Sequence, residues 1–207
     1  MISLQKVKPT TPGRRQLIKL NQKSLNLSKK PMLKNKVKGL KNSSGRNNSG
    51  RITAFHRGGG VKKRYRKINF NRVENSTAIV CSLEHDPYRN AYIAAIFDFI
   101  NNDFFYILAP KNLKVGDIVK SGLEVEPSLG SSLPISKIPI GTAIHNVSPA
   151  LNKKAQISRS AGTFSMIKEK TEKYAVIELS SGEQRYVSSK CFASIGEVSK
   201  ELHFLTR

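Results

Sequence analysis

The sequence predicts an all-β protein, two small barrels preceded by a basic extended arm. Three observations carry this. Runs of six to nine residues rich in β-branched and aromatic side chains, each bounded by turn residues, recur from Asn75 onward. No segment sustains a helical apolar period for more than a turn or two. The charge is also divided: residues 1–73 hold 21 Lys or Arg and no acid, whereas the remaining 134 hold 15 basic and 14 acidic side chains.

Residues 1–40 alternate cations with Asn, Ser and single apolar residues, with no period, and read as an arm ordered only on binding. A first barrel is expected over 41–118. Its strands are read near 52–55 and 65–70, then at "TAIVCSLEH" (77–85), "AYIAAIFDF" (91–99) and "DFFYILA" (103–109). The last three make an antiparallel meander, its turns marked by Asp86, Pro87, Asn90, Asn101 and Asn102. A second β unit is expected to start near "VGDIVKSG" (115–122), giving a second barrel over 119–207. After a Pro, Ser and Gly-rich passage (127–139) come "TAIHNV" (142–147), "TFSMIKEK" (163–170), "YAVIELS" (174–180) and "EQRYVS" (183–188). Ser181 and Gly182 supply a short hairpin loop between the last two.

A block of 21 uncompensated cations repels itself and needs a polyanion. The longest apolar run, 91–97, is far short of the roughly 20 residues that span a bilayer, and the basic segments lack the large hydrophobic face of a membrane-surface helix. Nucleic acid is the expected partner, with no membrane and no small-molecule substrate. Cys81 and Cys191 stand far apart without metal-ligand spacing, so free thiols and no resident metal or cofactor are expected, apart from Mg2+ carried by the RNA. No carboxylate cluster lies in the basic region to hold catalytic cations, and no phosphate-binding loop or nucleophile triad can be read, so an enzyme is not expected. The first 30 residues have transit-peptide composition, but Pro9 and Pro12 interrupt the helix such a peptide needs.

The chemistry concentrates in "GRNNSGRITAFHRGGGVKKRYRKINF" (45–70), with eight Lys or Arg and no acid. Arg46, Arg51, Arg57, Arg64 and Arg66 can fork onto phosphate oxygens or stack on bases, and Lys62, Lys63 and Lys67 add point charges. Asn47 and Asn48 suit base edges or ribose hydroxyls. Gly58, Gly59 and Gly60 let backbone N–H groups approach phosphate. Phe55 and Tyr65 read equally as strand core or as stacking platforms. From residue type alone His56 and His145 read as structural histidines.

This stretch resembles the signature of the large-subunit ribosomal protein L-two family. The likeness continues through "KPTTPGRRQ" (8–16), "EHDPYRNAYIA" (84–94), "YILAPKNLKVGD" (106–117), "LPISKIPIGTAIHNV" (133–147), "ISRSAGTF" (157–164) and "SSGEQRYVSSKCFASIGEVSKELH" (180–203). The resemblance implies an OB-fold barrel followed by an SH3-like barrel. It also implies a structural, non-catalytic role on large-subunit rRNA near the peptidyl transferase region, in assembly, subunit association and translation, beside neighbouring ribosomal proteins. The residues it implies for rRNA binding are Arg14, Arg15, Arg46, Asn47, Asn48, Arg51, His56, Arg57, Gly58, Gly59, Gly60, Lys62, Lys63, Arg64, Tyr65, Arg66 and Lys67, with Arg159 and Ser160 in the second barrel.

Val61, Asn69, Lys154 and Ala155 depart from the family pattern. The family's C-terminal tail is not found, and two explanations fit: its loss, or its supply by a separate polypeptide. With 23 Ser and 15 Asn against 12 Ala, the bias of AT-rich DNA, the expected location is the mitochondrial ribosome, ahead of plastid or bacterial cytoplasm. The competing reading is a free-standing RNA-binding OB or SH3-like module such as a translation factor. Isolated residues 1–73 are expected to be disordered and to order on RNA.

Overall fold

The computed structural model describes residues 4–21, 27–28 and 30–206; residues 1–3, 22–26 and 29 of the expected arm, and residue 207, lie outside the described residues. Strands β1 (Leu4–Lys6) and β2 (Ile18–Leu20) pair antiparallel, as do β3 (Val37–Gly39) and β4 (Arg64–Arg66). The other strands form one ten-stranded sheet. They are β5 (Ser76–His85), β6 (Tyr92–Asp98), β7 (Asp103–Leu108), β8 (Ile118–Ser121), β9 (Ser132–Pro134), β10 (Ala143–His145), β11 (Ser165–Lys170), β12 (Tyr174–Leu179), β13 (Gln184–Ser188) and β14 (Phe192–Ile195). Their order is β13-β12-β11-β10-β14-β9-β8-β5-β6-β7, and among the described residues helix is confined to 3-10 turns. The all-β expectation holds.

The meander β5-β6-β7 forms where the aromatic and β-branched runs place it, and the turn residues do identifiable work. The Tyr88 N–H donates to Asp86 Oδ1 (2.9 Å), and the Ile100 N–H to Asp98 Oδ1 (3.0 Å), while Asn102 takes a left-handed φ of 50°. In β5 the register slips between Val80 and Ser82, a bulge at Cys81 that bends the ten-residue strand. Inside this first barrel pack Ala78, Val80, Tyr92, Ala94, Ile96, Ile107, Leu113 and Val119. A second core holds Leu133, Ile135, Ile138, Ile144, Ile167, Ile177, Val187 and Cys191.

Strand β6 is apolar on both faces because a third cluster covers its outer side. Ile93, Ala95, Tyr106 and Leu108 meet Leu33, Ile68 and Phe70 of the basic segment and Ala161 and Val198 of the second barrel. Each such side chain removed from water stabilises the fold by roughly 1.5–3 kcal/mol for the larger residues. The basic segment is therefore fastened to the barrel by its few apolar residues.

Four expectations change. The arm carries short strands β1, β2 and β3. Residues 52–55 make no strand: Ile52 forms a single bridge with Arg46, and Phe55 is 75% exposed. The 65–70 strand shrinks to β4 plus a bridge from Ile68 to Tyr106. The strand expected to open the second unit, β8, instead pairs antiparallel with β5 (Ser76 to Ser121 through Ile79 to Ile118) and sends Val119 into the first core. Its alternating burial is satisfied only by that neighbour. The second barrel begins at β9, hidden in the Pro, Ser and Gly-rich passage, and within the one sheet the two barrels join through the parallel pair of Ser121 with Ser132, with a further bridge between Pro110 and Val198.

Candidate nucleic-acid interface

Residues 42–63 form an exposed lobe held by its own polar groups. The Arg51 N–H (2.9 Å) and Ser49 Oγ (2.9 Å) donate to Asn47 Oδ1, and the Thr53 and Ala54 N–H groups donate to the Gly45 carbonyl at 2.9 and 3.1 Å. A side chain at Gly45, φ 73°, would run into the Ala54 carbonyl oxygen. Asn47 thus spends its acceptor on the loop and keeps its amide donors, a narrower role than the base reading proposed from residue type. Arg46, Asn48, Arg51, His56, Arg57, Gly58 to Gly60, Lys62, Lys63, Arg64 and Lys67 are all exposed, as are Arg14 and Arg15 beside the Pro12–Arg14 turn. No atom lies within 4 Å of where a Cβ would stand at Gly58 or Gly60, so those glycines serve the left-handed backbone and open access, not packing. Where β3 and β4 meet this lobe, a concavity of about 460 Å3 is lined by Pro31, Lys34, Val37, Gly39, Lys62 and Arg64: three cations and no acid.

The acid-free segment finds its counter-groups in the first acids of the barrel. Glu84, fully buried, accepts the Met32 N–H (2.8 Å) and the Tyr106 hydroxyl (3.1 Å), and that hydroxyl accepts the Leu33 N–H (3.0 Å). Burial pushes the Tyr106 phenol up to about 12. Arg66 is buried, donating from Nη1 to the Arg64 carbonyl (3.2 Å) with Asp86 Oδ1 at 4.0 Å. This departs from its expected phosphate role, because its guanidinium is enclosed by its own chain. Arg72, also buried, donates to the carbonyls of Gly130 (2.7 Å) and Lys120 (3.2 Å). Desolvation lowers its pKa to about 10, so it stays a cation at neutral pH and locks the crossing between barrels.

Between the barrels lies a cleft of about 790 Å3, walled by Tyr65, Phe70, Tyr88 and Arg89 on one side and by Gln156 to Ala161 and Arg185 on the other. Arg159 stacks over the Phe70 ring at 4.8 Å, Arg89 lies over Phe70 at 5.7 Å and over Tyr65 at 5.9 Å, and Tyr65 meets Tyr88 edge-on at 5.7 Å. Arg89 Nε stands 3.0 Å from the buried Asp86 Oδ2. The contact is ionic and not a linear hydrogen bond, since Oδ2 has no hydrogen-bond partner among the described residues. Guanidinium planes held beside aromatic faces suit unstacked bases and phosphates together.

The structure thus joins Tyr65 to Arg159 and Ser160, more than 90 positions along the chain, and adds Tyr88, Arg89 and Arg185, which residue-type reasoning missed. The signal was present in "DPYRN", where an aromatic and an arginine follow an acid and a proline. Arg14 and Arg15 stay outside both this cleft and the lobe concavity. His145 is structural, as expected: it is buried, Nδ1 lies 2.8 Å from the Gly196 carbonyl, and desolvation lowers its pKa to about 4. His56, exposed at φ 57°, is not a packed histidine. Among the described residues no group of three His, Cys, Asp or Glu could hold a metal ion, and no helix is long and apolar enough to cross a membrane.

Two small barrels sharing a cation-and-aromatic cleft, with a cationic acid-free lobe beside it, define a structural nucleic-acid-binding protein. Residues 33–121 match the family model for "Ribosomal Proteins L2, RNA binding N-terminal domain", and residues 128–206 that for "Ribosomal Proteins L2, C-terminal domain". The chain belongs to the ribosomal protein L2 family. It is similar to the large ribosomal subunit protein uL2 of Parvibaculum lavamentivorans, 43% identical over 203 residues, covering 98% of this chain and 72% of that protein. It is also similar to uL2 of Buchnera aphidicola subsp. Cinara cedri, 46% identical over 201 residues, 96% of this chain and 72% of that protein. These relatives are bacterial, and the matches give no support to a separate C-terminal polypeptide. The family is a structural ribosomal constituent, not an enzyme.

Proposed function

We propose that this chain is a structural constituent of the large ribosomal subunit, binding large-subunit rRNA near the peptidyl transferase region beside neighbouring ribosomal proteins. In that place it supports assembly, subunit association and translation. The observation that carries this reading is the inter-barrel cleft, where Arg89 and Arg159 flank one ring, Phe70, at 5.7 and 4.8 Å. The cleft offers a splayed nucleotide the aromatic side chains of Tyr65 and Tyr88 for its base and the guanidinium groups of Arg89, Arg159 and Arg185 for its phosphate. The exposed residues of 45–67, with Arg14 and Arg15, extend the grip by phosphate neutralisation, and Ser160 lines the cleft beside Arg159. Arg66 and Arg72 hold the fold that presents them.

The mitochondrial ribosome is the proposed location, supported by the Ser and Asn bias over Ala. The test is binding of the purified chain to large-subunit rRNA fragments against small-subunit rRNA of equal length. Selective binding that Arg89→Ala with Arg159→Ala abolishes is expected; equal affinity for both RNAs refutes the reading.

A further inference from the structure

Resting on the ribosomal reading, a second surface of the first barrel faces a different kind of partner. Among the described residues the outer face of the sheet is covered in its upper half, by the cluster around Ile93, Ala95 and Tyr106. Along the same face, past the bulge, four apolar residues stand in register across four strands: Ile118 opposite Ile79, Ile79 opposite Phe97, and Phe97 opposite Phe104. Ile118 is 57% exposed and Phe104 37%, and Phe99 (52%) and Ile100 (59%) extend the row onto the hairpin turn. The rings are pre-packed, Phe97 lying 4.7 Å from Phe104 and 5.4 Å from Phe99. With strands about 4.8 Å apart the row spans roughly 14 Å, a contiguous patch and not scattered surface residues.

Charge decides what covers it. Residues 90–110 contain no Lys or Arg, in a chain where 36 of 207 residues are basic, and they carry two acids, Asp98 and Asp103. At the margin Lys36 is already paired with Asp103 at 3.0 Å, and Lys120 lies two positions along β8 from Ile118. Phosphate arriving here would meet apolar rings and carboxylates without the paired arginines of the cleft. The edge of β7 is partly occupied as well: Ile68 bridges to Tyr106, the Asn69 N–H donates to the Tyr106 carbonyl at 2.8 Å, and the Phe104 N–H donates to Asp103 Oδ1 at 2.8 Å.

We infer that the face formed by Ile118, Ile79, Phe97, Phe104, Phe99 and Ile100 docks aliphatic side chains of a neighbouring protein in the assembled large subunit. It is a protein-binding surface on the opposite logic to the RNA-binding cleft. The patch continues an apolar face that the chain itself already covers in its upper half.

The test uses large subunits assembled with the full chain carrying Asn101→Cys in a Cys81→Ser background, with a thiol-linked photocrosslinker beside the patch. Crosslinks to a ribosomal protein are expected, together with protection of Phe99 and Phe104 from hydroxyl radicals relative to the free chain. Phe99→Ser/Ile100→Ser/Phe104→Ser should cut the crosslink at least tenfold while binding to the rRNA fragment stays within about twofold. Crosslinks to rRNA, or rings oxidised equally in subunit and free chain, overturn the inference and leave the cleft reading standing. A chain absent from the subunit but normal in crosslinker labelling overturns the ribosomal reading and this one with it.

Discussion

Asp86 and Arg89, three positions apart, form an ion pair of 3.0 Å in which the carboxylate is fully enclosed and the Arg89 side chain keeps 18% of its surface exposed. The same carboxylate accepts the Tyr88 N–H through Oδ1 and stands 4.0 Å from Arg66. One acid therefore orients two cleft residues and neutralises a buried cation. Asp86→Asn retains the Tyr88 contact but removes the charge. Arg89 then loses the charge that holds it at the cleft, so rRNA affinity should fall about tenfold, roughly 1.4 kcal/mol. Filter binding measures it, with circular dichroism to establish that the barrel persists; unchanged affinity in a folded variant would refute the positioning role.

Glu84 and Tyr106 predict how the basic segment is fastened. Tyr106→Phe deletes the hydroxyl that bridges the Leu33 N–H and the Glu84 carboxylate, leaving both short of a partner in a buried place. The cost is on the order of 1–3 kcal/mol. Because the loss is local, hydrogen exchange should quicken at Met32 and Leu33 before it quickens in β5 or β6. Uniform acceleration through the barrel would mean that the segment is not a separable unit.

What could be read in advance follows the physics of each element. The meander β5-β6-β7 was legible because Val80, Ile96 and Ile107 alternate or run together between turn residues, a signal contained within each strand. Strand β8 was visible, but its partner was not: that Ile118 lies opposite Ile79 is set by closure of the first barrel, which no local pattern encodes. The lobe was legible as cationic from composition, yet Arg64, Arg66 and Arg72 are one residue type with three fates. Which guanidinium is enclosed depends on Asp86 and on the Gly130 carbonyl, contacts brought by distant chain. The cleft was half legible: Arg159 stood out in its motif, whereas Arg89, although it lies in "EHDPYRNAYIA", gains its role only with the second barrel opposite it.

His145 predicts a pH dependence. Its folded pKa of about 4 lies below the ordinary value of 6.5, chiefly through desolvation and also through Arg72, against the Gly196 carbonyl, which favours the proton. The unfolded chain takes a proton near pH 6.5 that the folded chain refuses until about pH 4. The neutral ring's contribution is therefore present above pH 6.5 and is lost as pH falls from 6.5 toward 4. Between pH 7 and pH 5 the loss is on the order of 2 kcal/mol. Urea unfolding at both values should show it, and His145→Gln should remove most of the difference; an equal drop in the variant would assign it elsewhere.

The two parts of the RNA interface should separate in salt. If the lobe cations act by neutralising phosphates, as proposed, each contributes roughly 0.7–0.9 to the log–log salt slope. Replacing Arg46, Arg51, Arg57 and Lys62 by Ala should then flatten that slope by about 3. Tyr88, beside Tyr65 at the cleft wall, acts through stacking and carries no charge. Tyr88→Ala should weaken binding by roughly 1–3 kcal/mol at every salt concentration with the slope unaltered. Fluorescence anisotropy between 50 and about 400 mM salt spans the range where counterion release is resolved. Parallel losses of slope in both variants would mean that the cleft is a second phosphate site and not a base-stacking one, because only an ionic contact changes the number of released counterions.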